Sequence, residues 1–466
     1  MQNKHILIVI KYGSFYGYCE SIIKELAKKN KVTLCIQDEN NINASKYFID
    51  HRNSLVIEDS SLNKKVVLAS SNKNLIITKG IKRTDSWVKP IIIIRETLNY
   101  LSYQIRGDNN TFLEVQTKYV SKKVINFLKL LKFRFIYKIV FKSLKLLHLF
   151  IPASWEIKNF ISKINPDCII VVGGNWPTRT KELSSEIDFI NAANKLNISS
   201  ILQVISWDNL TARGLYHYNP TLMLVWNKNH FNEALEIHKI PKKNLRMIGA
   251  PFMDKWFDKN NIRTKTEFYK EFDFEFNKPL VTYLGSAKNI SKNEKIIVEK
   301  IFKKLSNHGY QMIVRPHGSN SEQFLNLDKD IKIIPTKGEL PDTDDSKKLM
   351  IETLKYSDFT IGINTTAMID SIILGTPCIS LVKEEFSYNQ IKTPHFHKVK
   401  NEGIFIEAID EEESVLKITE FNKDEDSLIS NKMDKFVENF CRPHGKNISA
   451  GRKTLEEISK LLTKAT

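Results

Sequence analysis

The stretch Gly362-Ile363-Asn364-Thr365-Thr366-Ala367-Met368-Ile369-Asp370 combines hydroxyls, an amide and a carboxylate directly after an apolar run. A buried strand followed by a helix would bring Asn364, Thr365 and Thr366 to the first helical turn. Hydroxyls and unbonded backbone N–H groups at a helix start suit phosphate. Asp370, one turn further, could accept from ribose hydroxyls; a plain Thr N-cap with a solvated Asp370 is the competing reading. Gly285-Ser286 follows a second apolar run, where a small residue lets a ligand approach the backbone. Arg315-Pro316-His317 follows a third. There His317 could donate to a phosphate or leaving group, and Arg315 could pair with a phosphate or a carboxylate. In the N-terminal half, Ser206-Trp207-Asp208-Asn209-Leu210-Thr211-Ala212-Arg213-Gly214 follows the run 200–204. Asp208 could deprotonate a hydroxyl, or it could cap a turn with Trp207 as core filler.

Positioning these residues takes a series of strands and helices. Residues 5–10 are apolar, Lys11-Tyr12-Gly13-Ser14 breaks the run, and Ile22, Ile23, Leu26 and Ala27 recur at helical spacing before a strand at 31–36. Strand, turn, helix, strand opens a parallel α/β unit. Further strands are expected at 75–78, 168–172, 200–204, 222–225 and 245–248, with helices at 188–196 and 231–238. A second series places strands at 280–284, 311–314, 331–334, 359–363 and 378–382, with a helix at 294–307. A helix at 366–374 is closed by Gly375, with Pro377 just beyond. The expected fold is therefore α/β: two Rossmann-like doubly wound parallel-sheet domains facing a central cleft.

A chain of 466 residues exceeds what one core usually supports. The expected division is 1–260, 261–442 and a C-terminal helical segment, 443–466, packing back on the first domain. Gly249-Ala250-Pro251 and Asp254 are expected to shape the hinge.

Composition removes several classes. The net charge of +17 comes from excess Lys, and a basic surface attracts anions. Nothing resembles a nucleic-acid module, so no nucleic-acid partner is expected. The five cysteines lack disulfide or metal spacing. No apolar run reaches the roughly 18–20 residues of a membrane span, and the start reads as a strand, so a cytoplasmic place is expected. There is no GxGxxG after the first strand, no Walker A loop and no GxSxG elbow, which weakens dehydrogenase, NTPase and hydrolase readings. Asp344-Asp345 is expected in a solvated loop, and neither metal nor cofactor is expected.

Residues 115–155, expected as a basic helical insertion, contain no acid. Arg134, Lys138, Lys142 and Lys145 share one helical face; Phe133, Ile136, Val140, Leu144 and Leu147 share the opposite one. Two readings stay open: an interfacial helix on anionic lipid at the inner face of the membrane, or a surface helix with its apolar face in the core.

The blocks from Ser206 to Gly214, Val225-Trp226-Asn227 and Gly249-Ala250-Pro251-Phe252-Met253-Asp254 resemble GT-B superfamily glycosyltransferases. The nearest look-alikes are bacterial surface-polysaccharide transferases and the CDP-glycerol glycerophosphotransferase group. Val314-Arg315-Pro316-His317 resembles the His-Pro region of the glycerophosphotransferases and bacterial sialyltransferases, where the histidine assists the donor phosphate. The resemblance puts Asn364, Thr365 and Thr366 on the phosphate, Asp370 on the ribose and Asp208 in the place of the acceptor base. His317 precedes Gly318 where the pattern has Pro, and Asp208 stands where the glycerophosphotransferases have His. The latter change disfavours glycerol-phosphate transfer.

The expectation is thus a glycosyltransferase with a nucleotide-sugar donor and a cell-envelope glycan or lipid-linked acceptor. Asp208 and His317 are the expected catalytic pair. Gly285, Ser286, Arg315, Asn364, Thr365, Thr366 and Asp370 are expected on the nucleotide and phosphates, and Gly13, Ser14, Trp207, Asn209 and Arg213 on the acceptor side. A non-hydrolysing nucleotide-sugar 2-epimerase, a glycerophosphotransferase and a non-catalytic nucleotide-sugar or glycan-binding subunit are the alternatives.

Overall fold

The computed structural model describes every residue except 38–46, 50–54, 58–71, 108–119, 131–132, 176–182, 259, 261, 289, 339–340, 342 and 464–466. The chain divides into two compact units, Met1–Asp254 with Phe440–Thr466, and Lys255–Asn439.

In the first unit, β1 (His5–Ile10), β2 (Lys31–Ile36), β5 (Leu75–Lys79), β6 (Cys168–Val172), β7 (Ser199–Gln203), β8 (Leu222–Val225) and β9 (Leu245–Met247) form one sheet. A small antiparallel hairpin, β3 (Tyr47–Ile49) and β4 (Leu55–Ile57), forms a separate two-stranded sheet. The order is β5-β2-β1-β6-β7-β8-β9, and all neighbours are parallel. Strands covered on both faces read as continuous apolar runs, as HILIVI in β1 and CIIVV in β6 do. Order reverses between β1 and β6, which makes the loops after them the topological switch point, where ligands bind in such sheets.

The C-terminal helix Ala450–Thr463 joins this unit by packing on the helix Tyr16–Ala27. Gly451 is obligatory there: a Cβ at that position would lie 2.4 Å from the Ser21 carbonyl oxygen. Asp254 is buried and accepts from the backbone N–H of Ala450 (3.1 Å) and of Gly451 (3.0 Å), with the Arg442 guanidinium 2.8 Å away. Gly249 adopts φ +92°, and a Cβ would meet the Cys441 carbonyl oxygen at 2.6 Å. The Gly249-Ala250-Pro251 and Asp254 segment, expected to shape the hinge, ends the first stretch of this unit and also holds the returning chain to it.

The second unit contains β10 (Leu280–Leu284), β11 (Gln311–Arg315), β12 (Ile331–Ile333), β13 (Phe359–Gly362), β14 (Cys378–Leu381) and β15 (Phe405–Ala408) in the order β12-β11-β10-β13-β14-β15, all parallel. Here the switch point lies between β10 and β13. The helix Thr366–Leu374 follows β13 and ends on Gly375 at φ +90°. Asp344 and Asp345 do not sit in a loop: they open the helix Asp344–Lys355, capped by Thr343 and Ser346, where acids oppose the positive helix end.

None of the five cysteines, all buried, forms a disulfide. No helix among the described residues is long and apolar enough to cross a membrane.

Candidate functional site

The expected site residues fall into two groups, one on each unit. In the second unit, the ends of β11, β10 and β13 are neighbours and deliver their loops to one sheet edge. Thr365 occupies the N-cap position of the helix Thr366–Leu374 in extended geometry, but its hydroxyl makes no capping bond. A Thr N-cap normally accepts from the N2 or N3 amide. Thr365 and Thr366 are both half-buried at the first turn of this helix. Asn364 is set by its amide, which donates to the Asn389 carbonyl.

His317 is half-buried and its Nδ1 accepts from the Ser319 backbone N–H at 3.1 Å, with the Ser319 hydroxyl at 2.9 Å. An accepting Nδ1 leaves the proton of the neutral ring on Nε2. Burial pushes the imidazole below its ordinary range, so at neutral pH His317 presents a fixed neutral Nε2–H donor.

Three expected contacts turn out to be internal. A Cβ on Gly285 would meet the His317 backbone nitrogen at 3.1 Å and the Arg315 carbonyl oxygen at 3.2 Å, so its smallness serves strand-end packing, not ligand approach. Ser286 is fully buried, and its N–H is taken by both Glu294 oxygens at 3.1 Å. Asp370 is 3% exposed. Burial raises its carboxyl to about 7 against the pull of Lys255, the Trp256 indole and Arg315. A carboxyl so enclosed has almost no face for a ribose; it acts on this edge through its charge. Arg315 is buried as well and reaches Asp370 electrostatically, which links the end of β11 to the helix after β13.

Glu294 was not singled out from sequence. It begins the helix Glu294–Asn307 and is fully buried. Its Oε2 accepts from the Tyr283 hydroxyl at 2.9 Å, and burial raises it to about 7 despite the Ser286 N–H and Tyr283. A Glu at the start of an amphipathic helix looks like an ordinary dipole partner; only the packing of the helix on β10 encloses it.

In the first unit, Asp208 follows β7 at the carboxyl edge, half-exposed, with its Oδ1 accepting from the Ser206 hydroxyl. Tyr18 lies beside it: the phenol is raised by burial, then by the Asp208 charge, and lowered by Arg213. Asp208, Arg213 and Tyr18 are therefore one cluster drawn from residues far apart in sequence. Tyr18 extends an aromatic series, with ring centroids 5.5 Å from Phe15 and 5.0 Å from Phe252. The dense aromatics of 12–18 were the available signal. Gly13 is buried at the start of the 3-10 turn after β1; the side chain of Ser14 lies outside the described residues. Trp207 is half-buried and its carbonyl pairs with His230 Nε2 at 3.1 Å.

Asn209, expected on the acceptor side, is a loop fastener. It is fully buried, donates to Asn175 Oδ1 at 2.8 Å and accepts from the Tyr216 hydroxyl at 2.9 Å. Asn175 in turn donates to the Gly214 carbonyl at 2.9 Å. A cavity beside this pair is lined by Arg95, Asn99, Asn175, Ser184 and His217 together with Ile187 and Leu215. Its wall is rigid because Arg95 grips Asp188 with two bonds of 2.9 and 3.0 Å.

Among the described residues no group of three or more His, Cys, Asp or Glu side chains could hold a metal ion.

No family model matches the chain, and no curated protein does. Solved structures do. A UDP-GlcNAc 2-epimerase from Neisseria meningitidis bound to UDP-GlcNAc matches with TM-score 0.53 at 14% identity, over 98% of this chain and 100% of that one. A glycosyltransferase from Rickettsia africae matches with TM-score 0.52 at 13% identity over 100% of both chains. S. aureus MnaA in a structure with UDP matches with TM-score 0.52 at 10% identity, over 99% and 97%. At these identities the likeness defines the fold: two Rossmann-like parallel-sheet units of GT-B type.

Proposed function

We propose that this chain is a glycosyltransferase that moves a sugar from a nucleotide-linked donor to a hydroxyl of a cell-envelope glycan or lipid-linked acceptor. The observation that carries the donor assignment is the start of the helix Thr366–Leu374. There two threonine hydroxyls stand outside any capping bond at the switch point of a doubly wound sheet. Hydroxyls, helix amides and the Nε2–H of His317 suit the oxygens of a diphosphate. Fold neighbours solved with UDP or UDP-GlcNAc support a nucleotide-sugar ligand.

On this reading Asp208 takes the proton of the acceptor hydroxyl as that oxygen bonds to the anomeric carbon. The bond from that carbon to the donor phosphate oxygen breaks, and the nucleotide leaves with the electron pair. Thr365, Thr366 and His317 meet its growing charge with fixed dipoles, and buried Arg315 adds a positive field. Asp208 suits the base role because it stands half-exposed just after β7, at the carboxyl edge of its sheet.

Epimerisation of the nucleotide-sugar itself is the second reading, favoured by the several UDP-GlcNAc 2-epimerases among the fold neighbours. The test is a thermal-shift screen against UDP, CDP, CMP, GDP and their sugar conjugates, followed by turnover. Incubation with the donor alone decides between the readings: an epimer means epimerase, transfer that needs an added acceptor means transferase. Asp208→Asn is expected to keep donor binding and lose roughly 10²–10⁴-fold in transfer rate. Full turnover by that variant would remove Asp208 as base.

A further inference from the structure

The helix Arg134–Leu149 presents three sides where a surface helix has two. One side, with Tyr137, Phe141 and Leu144, packs in the clusters formed with Leu98 and Leu101 of the helix Val88–Arg106. Lys138 and Lys142 form a second, exposed side. The third side is apolar and uncovered: Phe135 is 62% exposed, Ile139 58%, Leu146 57% and the cap residue Phe150 76%. At about 100° per residue these four lie within roughly 60° of one another. Two apolar faces on one helix mean that packing against the first unit uses only one of them. Phe133 and Leu147, expected from sequence on a core face, are exposed too.

The neighbouring helix Lys122–Leu130 repeats the arrangement. It buries Ile125 and Leu128 and exposes Phe127 and Leu130 beside Lys122, Lys123 and Lys129. Of the expected 115–155 segment, 115–119 and 131–132 lie outside the described residues. Contiguous exposed apolar side chains of this size mark an interaction surface.

We infer that this face of the first unit docks on an anionic lipid surface, with Phe135, Ile139, Leu146 and Phe150 entering the headgroup boundary and the flanking lysines pairing with lipid phosphates. Charge selects this occupant. No Asp or Glu occurs from 115 to 155, so a second copy of the chain would bring lysine rows against each other with nothing to neutralise them. An anionic membrane supplies that charge and accepts the apolar row at the same time. The helix is about 24 Å long, enough to lie in the interface. The inference stands apart from the transferase reading, since it uses none of the residues placed in the two site groups.

The test is co-sedimentation with vesicles of phosphatidylcholine alone and of phosphatidylcholine with phosphatidylglycerol, at low and high salt. Binding is expected on the anionic vesicles, reduced by salt and weak on the neutral ones. Each basic side chain near an anionic surface contributes roughly fivefold in affinity, so Lys138→Gln with Lys142→Gln should weaken binding roughly 30-fold. Phe135→Ser with Ile139→Ser and Leu146→Ser should abolish it while leaving circular dichroism and the thermal midpoint unchanged, because these side chains touch solvent. Absence of binding to anionic vesicles at low salt overturns the proposal. So does sedimentation showing a dimer that the same triple substitution dissociates, since the face would then belong to a second copy.

Discussion

Replacing Glu294 by Gln tests the reasoning about the second unit most directly. The carboxyl is fully buried, accepts from Tyr283 and Ser286, and is raised by burial to about 7 from an ordinary 4.5. A folded value above the unfolded one means the group favours the fold fully below pH 4.5 and loses that contribution as pH climbs to about 7. Each pH unit between the two values is about 1.4 kcal/mol, so ionisation of Glu294 costs the fold about 3 kcal/mol by pH 8. Glutamine keeps an oxygen for the Ser286 N–H and turns an N–H₂ toward the Tyr283 oxygen, without a charge to bury. The variant should therefore gain about 2–3 kcal/mol on the parent between pH 5 and pH 8. Urea unfolding of both proteins at each pH reads this, and the difference between them cancels the other titrating groups. The two units need not unfold together, so the transition that shifts is the one to fit. A difference that stays flat from pH 5 to 8 would refute a neutral buried acid and mean that the amide and phenol donors outweigh desolvation.

Thr366→Val should weaken nucleotide-diphosphate binding about 10- to 100-fold by calorimetry, the loss of one hydrogen bond to a charged group, with Tm in the absence of ligand almost unchanged. His317→Ala should weaken the same binding about tenfold or more, and His317→Gln, which restores an N–H donor, should recover part of it. Gly451→Ala should lower stability by about 1–3 kcal/mol, read by thermal unfolding, because its Cβ meets the Ser21 backbone. Asp370→Asn should flatten the pH dependence of nucleotide affinity near pH 7: the parent should bind progressively less well as Asp370 ionises above about 7, the variant should not.

The sheets were legible because their strands are apolar runs. Each of the seven strands of the first sheet coincides within a residue with an apolar run read from sequence, and five of the six in the second do. β15 escaped because it is an edge strand whose middle residues, Ile406 and Glu407, are not buried. The helix Val88–Arg106 escaped for another reason. It opens with Pro90 and four consecutive isoleucines, 91–94, which favour a strand by propensity, and it buries Arg95, Glu96 and Asn99. Those polar residues enter the interior only because distant groups satisfy them, Asp188 in the case of Arg95. The site followed the same rule. Which residues leave a strand end is local, and Thr365, Thr366, His317 and Asp208 lie where strand, turn and helix signals put them. Which of them are then covered is tertiary. Ser286 is enclosed by Glu294, Asp370 has Lys255 and Trp256 around it, and Asn209 is locked by Asn175, none of which short-range pattern reveals.

Glu294 and Asp370 also bear on what this sheet edge can hold. Both lie beneath the loops at the ends of β10 and β13, and burial raises both toward neutrality near pH 7. Ionised carboxylates there would oppose an anionic ligand, and a low-dielectric interior would strengthen the repulsion. Where they are protonated, below about pH 7, they leave the field of Arg315 and Lys255 and the dipole of the helix Thr366–Leu374 uncancelled. Below about pH 7 the edge is then positive. An anion arriving at Thr365 and Thr366 would raise both acids further, so binding should take up protons near pH 7. That coupling follows from burial alone and holds for any nucleotide diphosphate, whichever sugar it carries.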